Sequence, residues 1–145
     1  MRTYTATTVS AARPEAVLDV LTDPNAVARW APVAFYVDRL SHPRLAEGSR
    51  ARVSGRLAGQ EVGFDVEVHR ANAAGLALSA DGPVALDVAY ELRPSDTGSE
   101  VSASVAVRPR RGLRARLLAE ATAAVLAGGA LQLALGRIAA EAAAA

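Results

Sequence analysis

The sequence has no cysteine among its 145 residues. Disulfide bonds, thiolate metal sites and cysteine nucleophiles are therefore excluded, and the composition permits the cytoplasmic location that we expect. Only two histidines are present, His42 and His69, so a histidine-rich metal site is not expected either. We predict no metal centre.

The sequence also lacks a strong charge of one sign. It has 16 basic and 15 acidic residues, a formal net charge of +1, and no indication of a polyanionic partner. All basic residues are arginines, and their one cluster has none of the interleaved aromatic residues typical of nucleic-acid-binding proteins. We therefore predict no nucleic-acid partner and a solvated surface for this cluster, which comprises Arg108, Arg110, Arg111, Arg114 and Arg116.

Long hydrophobic runs are missing as well. The longest uncharged run, Ala121 to Gly136, lies between Glu120 and Arg137 and is shorter than the roughly 20 residues that span a bilayer. The first fourteen residues, MRTYTATTVSAARP, have no continuous apolar core of the kind found in secretory signals. We predict no integral membrane segment and no signal peptide.

Motifs of common catalytic sites are absent too. No serine can be matched with a histidine and an acid, and no glycine-rich phosphate loop is present. The carboxylates of the predicted strands alternate outward, away from the apolar face. We therefore predict no cofactor, and the sequence leaves open both whether the protein is an enzyme and which residues would be catalytic.

The N-terminal third of the sequence predicts one strand and two short helices. Residues 3 to 11 are rich in threonine and valine and favour a strand. Pro14 suits the first turn of a helix, which Asp23 and Pro24 then end. Asp23 can cap a second short helix over Asn25 to Trp30, which Pro32 stops.

From residue 33 to residue 109 the apolar residues recur with a period of two, which predicts six further strands. Their short connections, AGQE, NAAG, DGP and PSDTGS, favour an antiparallel meander. The candidate strands are Val33 to Leu40, Val53 to Leu57, Val62 to Val68, Leu76 to Leu78, Val84 to Leu92 and Val101 to Val107.

The last segment, Gly112 to Ala143, is helical in composition and would be roughly 45 Å long, enough to cross the sheet. We predict a single α+β domain over residues 1–145. It consists of a curved seven-stranded antiparallel sheet, two short helices after the first strand, and a long C-terminal helix packed across the sheet.

This order of elements resembles the START-like superfamily, also called the polyketide cyclase/dehydrase and lipid transport (SRPBCC) superfamily, with its helix-grip fold. The resemblance in residues lies in RPEAVLDVLTDPNAVARWAP, Arg13 to Pro32, and in Glu47 and Gly48 before the third strand. It implies an apolar cavity between the sheet and the long helix, which binds lipids, hormones, sterols or polyketide chains in different members. The matching residues in the stretch are Pro14, Val17, Leu21, Asp23, Pro24 and Trp30.

On a helical wheel, the predicted long helix has one apolar arc that would face the sheet. Two consecutive glycines, Gly128 and Gly129, interrupt it, although each glycine costs a helix interior about 1 kcal/mol relative to alanine. Gly128 lies at the centre of the arc, where close packing on the sheet and an open cavity explain it equally well. The arc comprises Leu117, Ala121, Ala124, Val125, Gly128, Leu131, Gln132 and Leu135.

Polar groups near this arc are few. Gln132 needs a hydrogen-bond partner if it is buried, and a backbone carbonyl is favoured over a ligand. Arg114, at the helix start, is either solvated or paired with a ligand carboxylate at the cavity mouth. Tyr90 belongs to the inward set of its strand, so its hydroxyl needs a partner too. The other aromatic candidates for the core or the cavity wall are Trp30, Phe35 and Phe64.

Three functions follow from these observations. The first is binding of a hydrophobic small molecule, lipid-like or polyketide-like, by Trp30, Phe35, Phe64, Tyr90, Arg114, Leu117, Ala121, Gly128 and Gln132. The second is an aromatase/cyclase, in which Tyr90, Arg114 or Gln132 assists enolisation or dehydration. The third is a protein-interaction module that uses the sheet or the arginine-rich helix start. The sequence indicates neither the ligand nor the oligomeric state.

Overall fold

The structure is a computed structural model that describes residues 2–31, 35–57 and 59–144. In this part of the chain, seven strands and four helices follow one another in the predicted α+β order. They are β1 (Arg2–Ser10), α1 (Pro14–Thr22), α2 (Val27–Trp30), β2 (Phe35–Leu40), β3 (Arg50–Leu57), β4 (Gln60–Asn72), β5 (Gly75–Asp81), β6 (Val84–Ser95), β7 (Gly98–Pro109), α3 (Leu113–Ala127) and α4 (Ala130–Ala144).

The strands form one antiparallel sheet in the order β1-β7-β6-β5-β4-β3-β2. Strands β2 to β7 are a meander, as predicted, and the last strand of the meander, β7, pairs with β1. Because β1 and β2 lie at opposite edges, the sheet stays open, with one face for the helices to cover. Pro32, Val33, Ala34 and Ala58, which belong to predicted elements or turns, lie outside the described residues.

Alternation along the strands decides which side chains reach the covered face. In β4, Phe64 and Val68 are buried, whereas Asp65 and Glu67 between them are exposed. The same period places Tyr90 of β6 on the covered face, in register with Leu76 of β5 and Ala103 of β7. The inward set inferred from the pattern is confirmed.

Of the N-terminal helices, the first forms as predicted, whereas the second begins at Val27 rather than Asn25, and its N-cap is Ala26 rather than Asp23. Pro14 is the first residue of α1. At this position a backbone N–H would have no hydrogen-bond partner within the helix, so the lack of one in proline costs nothing. Asp23 follows α1, and its Oδ1 accepts a hydrogen bond from the Asn25 amide at 2.9 Å. This turn leads into the single helical turn of α2, which ends at Trp30.

The predicted single C-terminal helix is wrong, because two helices occupy this segment. α3 and α4 are bent by 57° at a break over Gly128 and Gly129. Gly129 adopts a φ of +93°, the left-handed conformation that commonly ends a helix and favours glycine. Among the described residues no single helix is long and apolar enough to cross a membrane; only the bent pair passes this test together, by length and composition.

The break divides the covering layer between two hydrophobic clusters. α4 packs with α1 over one end of the sheet, where Leu135, Ile138 and Val17 are fully buried. α3 places Leu118 on a second cluster that contains Phe64 and the inner residues of β3 and β4. Helices therefore cover both clusters of the core.

Candidate functional site

A cavity with two lobes lies between the inner face of the sheet and the helices. One lobe, of about 220 Å³, lies under α1 and α2, and we call it the α2 lobe. The other, of about 150 Å³, lies under α3 and α4 and is called the α3–α4 lobe. The lobes adjoin, because six wall residues belong to both: Trp30, Phe35, Phe64, Leu86, Val88 and Tyr90.

The four aromatic residues of the shared wall come from different elements and form two pairs. The Trp30 and Tyr90 rings meet edge to face, with centroids 6.3 Å apart and planes at 81°. The Phe35 and Phe64 rings have centroids 6.0 Å apart and planes at 65°. Edge-to-face pairs of this kind stabilise by about 0.5–1.5 kcal/mol beyond their buried area. The pairs thus hold α2, β2, β4 and β6 around one space.

The lining of both lobes is apolar apart from three polar tips. The Thr122 hydroxyl is satisfied within α3, because it donates to the Leu118 carbonyl at 2.8 Å. The buried Trp30 Nε1 has no hydrogen-bond partner among the described residues. Burial alone raises the pKa of the Tyr90 hydroxyl to about 12, so this group is neutral at ordinary pH. Both ring groups are therefore neutral, and Trp30 Nε1 is enclosed by protein rather than open to either lobe.

No charged side chain lines either lobe in the described ranges. Nor does any group of three or more His, Cys, Asp or Glu residues there have an arrangement that could hold a metal ion. His42 and His69 are both exposed. The cavity is consequently suited to a neutral ligand, because an ion buried there would have no counter-charge.

A larger groove, of about 900 Å³, lies on the outer face of the sheet and has a different chemistry. Its walls carry arginines and carboxylates that neutralise one another, such as Arg52 and Asp65 at 3.1 Å, and Arg110 and Asp81. Ion pairs this exposed contribute little energy, and the charged lining of the groove differs from the predominantly apolar lining of most small-molecule sites. We therefore place the candidate site in the smaller internal cavity.

Four of the predicted ligand-binding residues come together in the cavity. Trp30, Phe35, Phe64 and Tyr90 all lie in the wall that the two lobes share. Alternation along β4 and β6 placed Phe64 and Tyr90 on the inner face, and Trp30 ends the predicted second helix. Binding of a ligand by these four residues stays a prediction.

The other five predicted residues do not line the cavity, and the inward arc is wrong at Leu117, Ala121, Gly128 and Gln132. Leu117 is 59% exposed, and Gly128 is exposed at the helix break. Ala121 packs beside the Leu118 cluster rather than in either lobe. The reason is the bend, because a wheel drawn through Gly128 and Gly129 treats two differently oriented helices as one.

The two polar members of that set bind elsewhere in the protein. Gln132 is exposed, and its Nε2 donates to the Thr7 carbonyl of β1 at 3.1 Å, so its partner is the backbone carbonyl that was favoured. Arg114 is exposed at the start of α3, where its Nε donates to Gln60 Oε1 at 3.3 Å. Neither group is placed to contact a ligand in the cavity.

The wheel also missed wall residues of the α3–α4 lobe. Val125 and Leu131, which belong to the predicted arc, do line this lobe, but Thr122, Leu126 and Ala134 line it too. The glycine pair was the signal that could have found them. Ending one helix at the pair and starting another after it gives each helix its own inner face.

Comparisons with known proteins agree with this architecture. A family model described as polyketide cyclase / dehydrase and lipid transport matches residues 1–143. TTHA0849 from Thermus thermophilus superposes with a TM-score of 0.73 at 15% identity, covering 99% of this chain and 98% of that one. CV1439 from Chromobacterium violaceum gives 0.71 at 17% identity and 99% coverage of both chains.

A third solved structure, the Zhui aromatase/cyclase from Streptomyces sp. R1128, superposes with a TM-score of 0.70 at 16% identity and covers 97% of this chain and 93% of that one. Identities this low show a shared fold only. No curated protein sequence matches the chain. Because the family model spans nearly the whole chain and the architecture is that of the helix-grip fold, the protein belongs to the polyketide cyclase/dehydrase and lipid transport family.

Proposed function

We propose that the protein binds a hydrophobic small molecule in the cavity between the sheet and the helices. The observation that carries this proposal is the two-lobed space with an apolar lining and no charged wall residue in the described ranges. An apolar cavity of about 150 Å³ accommodates a molecule the size of benzene. The two lobes together therefore suit a ligand of one or two rings, which gains free energy by leaving water.

Aromatase/cyclase activity is the alternative, and one observation supports it. Of the three residues that could assist enolisation, Tyr90 alone lies in the cavity, whereas Arg114 and Gln132 have partners outside it. With a pKa of about 12, Tyr90 is a weak acid and is not ionised to act as a base. Binding therefore has more support than catalysis. Turnover of a poly-keto substrate that is lost in Tyr90→Phe would reverse this order.

Naphthalene is a suitable probe for the binding proposal, because Trp30 is the single tryptophan and lies in the cavity wall. We expect naphthalene to change the tryptophan fluorescence in a saturable manner. Ala134→Leu fills the α3–α4 lobe and should weaken binding by about tenfold or more, since that space is lost. Native mass spectrometry of the purified protein should also show a copurified apolar ligand.

Ala140→Leu is the matched control, because it makes the same change on the same helix at an exposed position. It should leave the affinity for naphthalene unchanged. The thermal melt of each variant shows whether it is folded. An absence of saturable binding to the wild-type protein, or equal affinities of a folded Ala134→Leu variant and the wild type, would overturn the proposal.

A further inference from the structure

Two leucines at the start of α3 lie on the protein surface. Leu113 is 73% exposed and Leu117 is 59% exposed. Because they are four residues apart in one helix, they share one face of it. The opposite face of α3 carries Leu118 and Thr122, which are both buried. The fold therefore leaves the two leucines uncovered, and they contribute nothing to its core.

Arginines lie on both sides of these leucines. At 100° per residue, Arg114 and Arg116 fall on opposite flanks of the helix face that carries Leu113 and Leu117. Arg111 precedes the helix by two residues. The segment RPRRGLRAR, residues 108–116, contains five arginines and no acidic residue. We call the surface formed by Leu113, Leu117, Arg111, Arg114 and Arg116 the basic leucine face.

Most of the charge on this face is not neutralised within the protein. Two of the five arginines of the segment form ion pairs, Arg108 with Asp87 and Arg110 with Asp81. The other three form no ion pair with a carboxylate in the described ranges, and Arg114 bonds only to the neutral Gln60 amide. The three uncompensated arginines are those of the basic leucine face.

A pocket on the Arg116 side of the face adds a place for an anion. It has a volume of about 540 Å³ and lies between β1, the end of β7 and the start of α3. Its only carboxylate is that of Glu120, which pairs with Arg2 at 3.4 Å. A phosphate group in this pocket would therefore meet an excess of positive charge. Four arginines line it: Arg2, Arg110, Arg111 and Arg116.

We propose that the basic leucine face docks on an anionic lipid bilayer, with Leu113 and Leu117 inserted among the lipids and the arginines in contact with phosphate groups. A bilayer surface offers both partners at once, since its phosphates lie just above its acyl chains. Arginines on the flanks of a leucine pair can reach the phosphates while their apolar stems follow the leucines inward. This inference does not depend on the internal cavity or on what it binds.

Cosedimentation with sucrose-loaded vesicles tests the docking. One set of vesicles contains equal parts of phosphatidylglycerol and phosphatidylcholine, and the other contains phosphatidylcholine alone. We expect the wild-type protein to bind the anionic vesicles at least about tenfold more tightly than the neutral ones. Added salt should weaken this binding, because it screens the arginines from the phosphates.

A leucine variant tests the insertion. Leu117→Ser should weaken binding to the anionic vesicles by about fivefold or more, since less apolar surface leaves water. Leu133→Ser is the matched control, because Leu133 of α4 is 50% exposed and lies outside the basic leucine face. It should bind these vesicles as the wild type does. Thermal melts show that each variant is folded.

Two double variants separate the local arginines from the net charge of the protein. Arg111→Gln with Arg116→Gln should weaken binding to the anionic vesicles by about tenfold or more. Arg13→Gln with Arg93→Gln is the matched control, because it removes two positive charges at exposed positions away from α3. It should reduce binding by less than about twofold.

Several outcomes would overturn the docking. Equal binding to both kinds of vesicle would do so, as would equal losses in the arginine variant and its control. Unchanged binding of folded Leu117→Ser would remove the insertion of the leucines. Binding to polyglutamate without binding to anionic vesicles would assign the face to an acidic protein instead. All variants should keep the wild-type affinity for naphthalene, so failure of the docking leaves the proposed function intact.

Discussion

Trp30 and Tyr90 meet edge to face in the wall of the cavity, with their ring centroids 6.3 Å apart. Trp30 ends the short helix α2, whereas Tyr90 lies within β6, so the contact joins the helical layer to the sheet. The pair is also the place where the two lobes adjoin. The stability of the fold therefore depends on a contact that also forms part of the cavity wall.

Tyr90 predicts a loss of stability at alkaline pH. Its pKa is raised by burial from 10.0 to about 12, so between these values the folded state keeps a proton that the unfolded state releases. Stability is therefore complete below about pH 10 and falls as the pH rises towards 12. Urea unfolding at about pH 9 and about pH 11.5 should differ by about 2 kcal/mol from this residue.

Tyr90→Phe is the comparison for this measurement, since it retains the ring and cannot ionise. Its alkaline loss should be smaller than that of the wild type by about 2 kcal/mol. Equal losses in the two proteins would show that the hydroxyl is not buried in the folded state.

We expect truncation of two neighbouring leucines of α3 to alanine to change the free energy of unfolding by very different amounts. Leu118 is 2% exposed, so Leu118→Ala should lower the free energy of unfolding by about 2–5 kcal/mol. Leu117 is 59% exposed, and Leu117→Ala should change it by less than about 0.5 kcal/mol. Chemical denaturation of both variants checks the orientation of α3. A larger loss for Leu117→Ala would restore the inward arc predicted from the sequence.

Two glycines of the C-terminal segment predict changes of opposite sign. An alanine at Gly129 would meet nothing within 4 Å, but the φ of +93° is unfavourable for it, so Gly129→Ala should destabilise by about 1 kcal/mol. Gly136 lies inside α4 without a positive φ and with open space around it. Gly136→Ala should stabilise by about 1 kcal/mol, because it raises helix propensity. Thermal melts distinguish the two, and a stabilised Gly129→Ala variant would contradict the break.

We expect a substitution at Gly128 to leave the cavity unchanged. Because this residue is exposed and borders neither lobe, Gly128→Leu should bind naphthalene with the wild-type affinity and remain folded. A Cβ at this position would meet the Ala124 and Val125 carbonyl oxygens at 3.2 and 3.5 Å. Fluorescence titration measures the affinity, with Ala134→Leu as the variant that loses it. Loss of binding in a folded Gly128→Leu variant would place this glycine in the cavity after all.

The strands and the first two helices could be predicted because their signals are local. A period of two in β4 separates Phe64 from Asp65 regardless of what covers the sheet. Pro14 and Asp23 likewise act through their own backbone neighbourhood. The aromatic half of the candidate site followed from these elements, since Tyr90 faces inward wherever β6 pairs correctly.

The C-terminal part could not be predicted in the same way. Two consecutive glycines are compatible with a weakened continuous helix and with a left-handed break, and the choice depends on what the flanking residues can bury. Leu118 and Leu135 are both buried here, although 57° separates the axes of their helices. Gln132 and Arg114 were placed by extrapolation across the break, and the bend moved both away from the cavity.

The break at Gly129 has a consequence for the size of the cavity. Residues of α3 and α4 on both sides of the joint form the roof of the α3–α4 lobe. The backbone angle at the joint therefore sets the height of that roof, in addition to the bulk of the side chains beneath it. A relative with identical wall residues but a straight C-terminal helix would enclose a space of different shape, and so would select a different ligand.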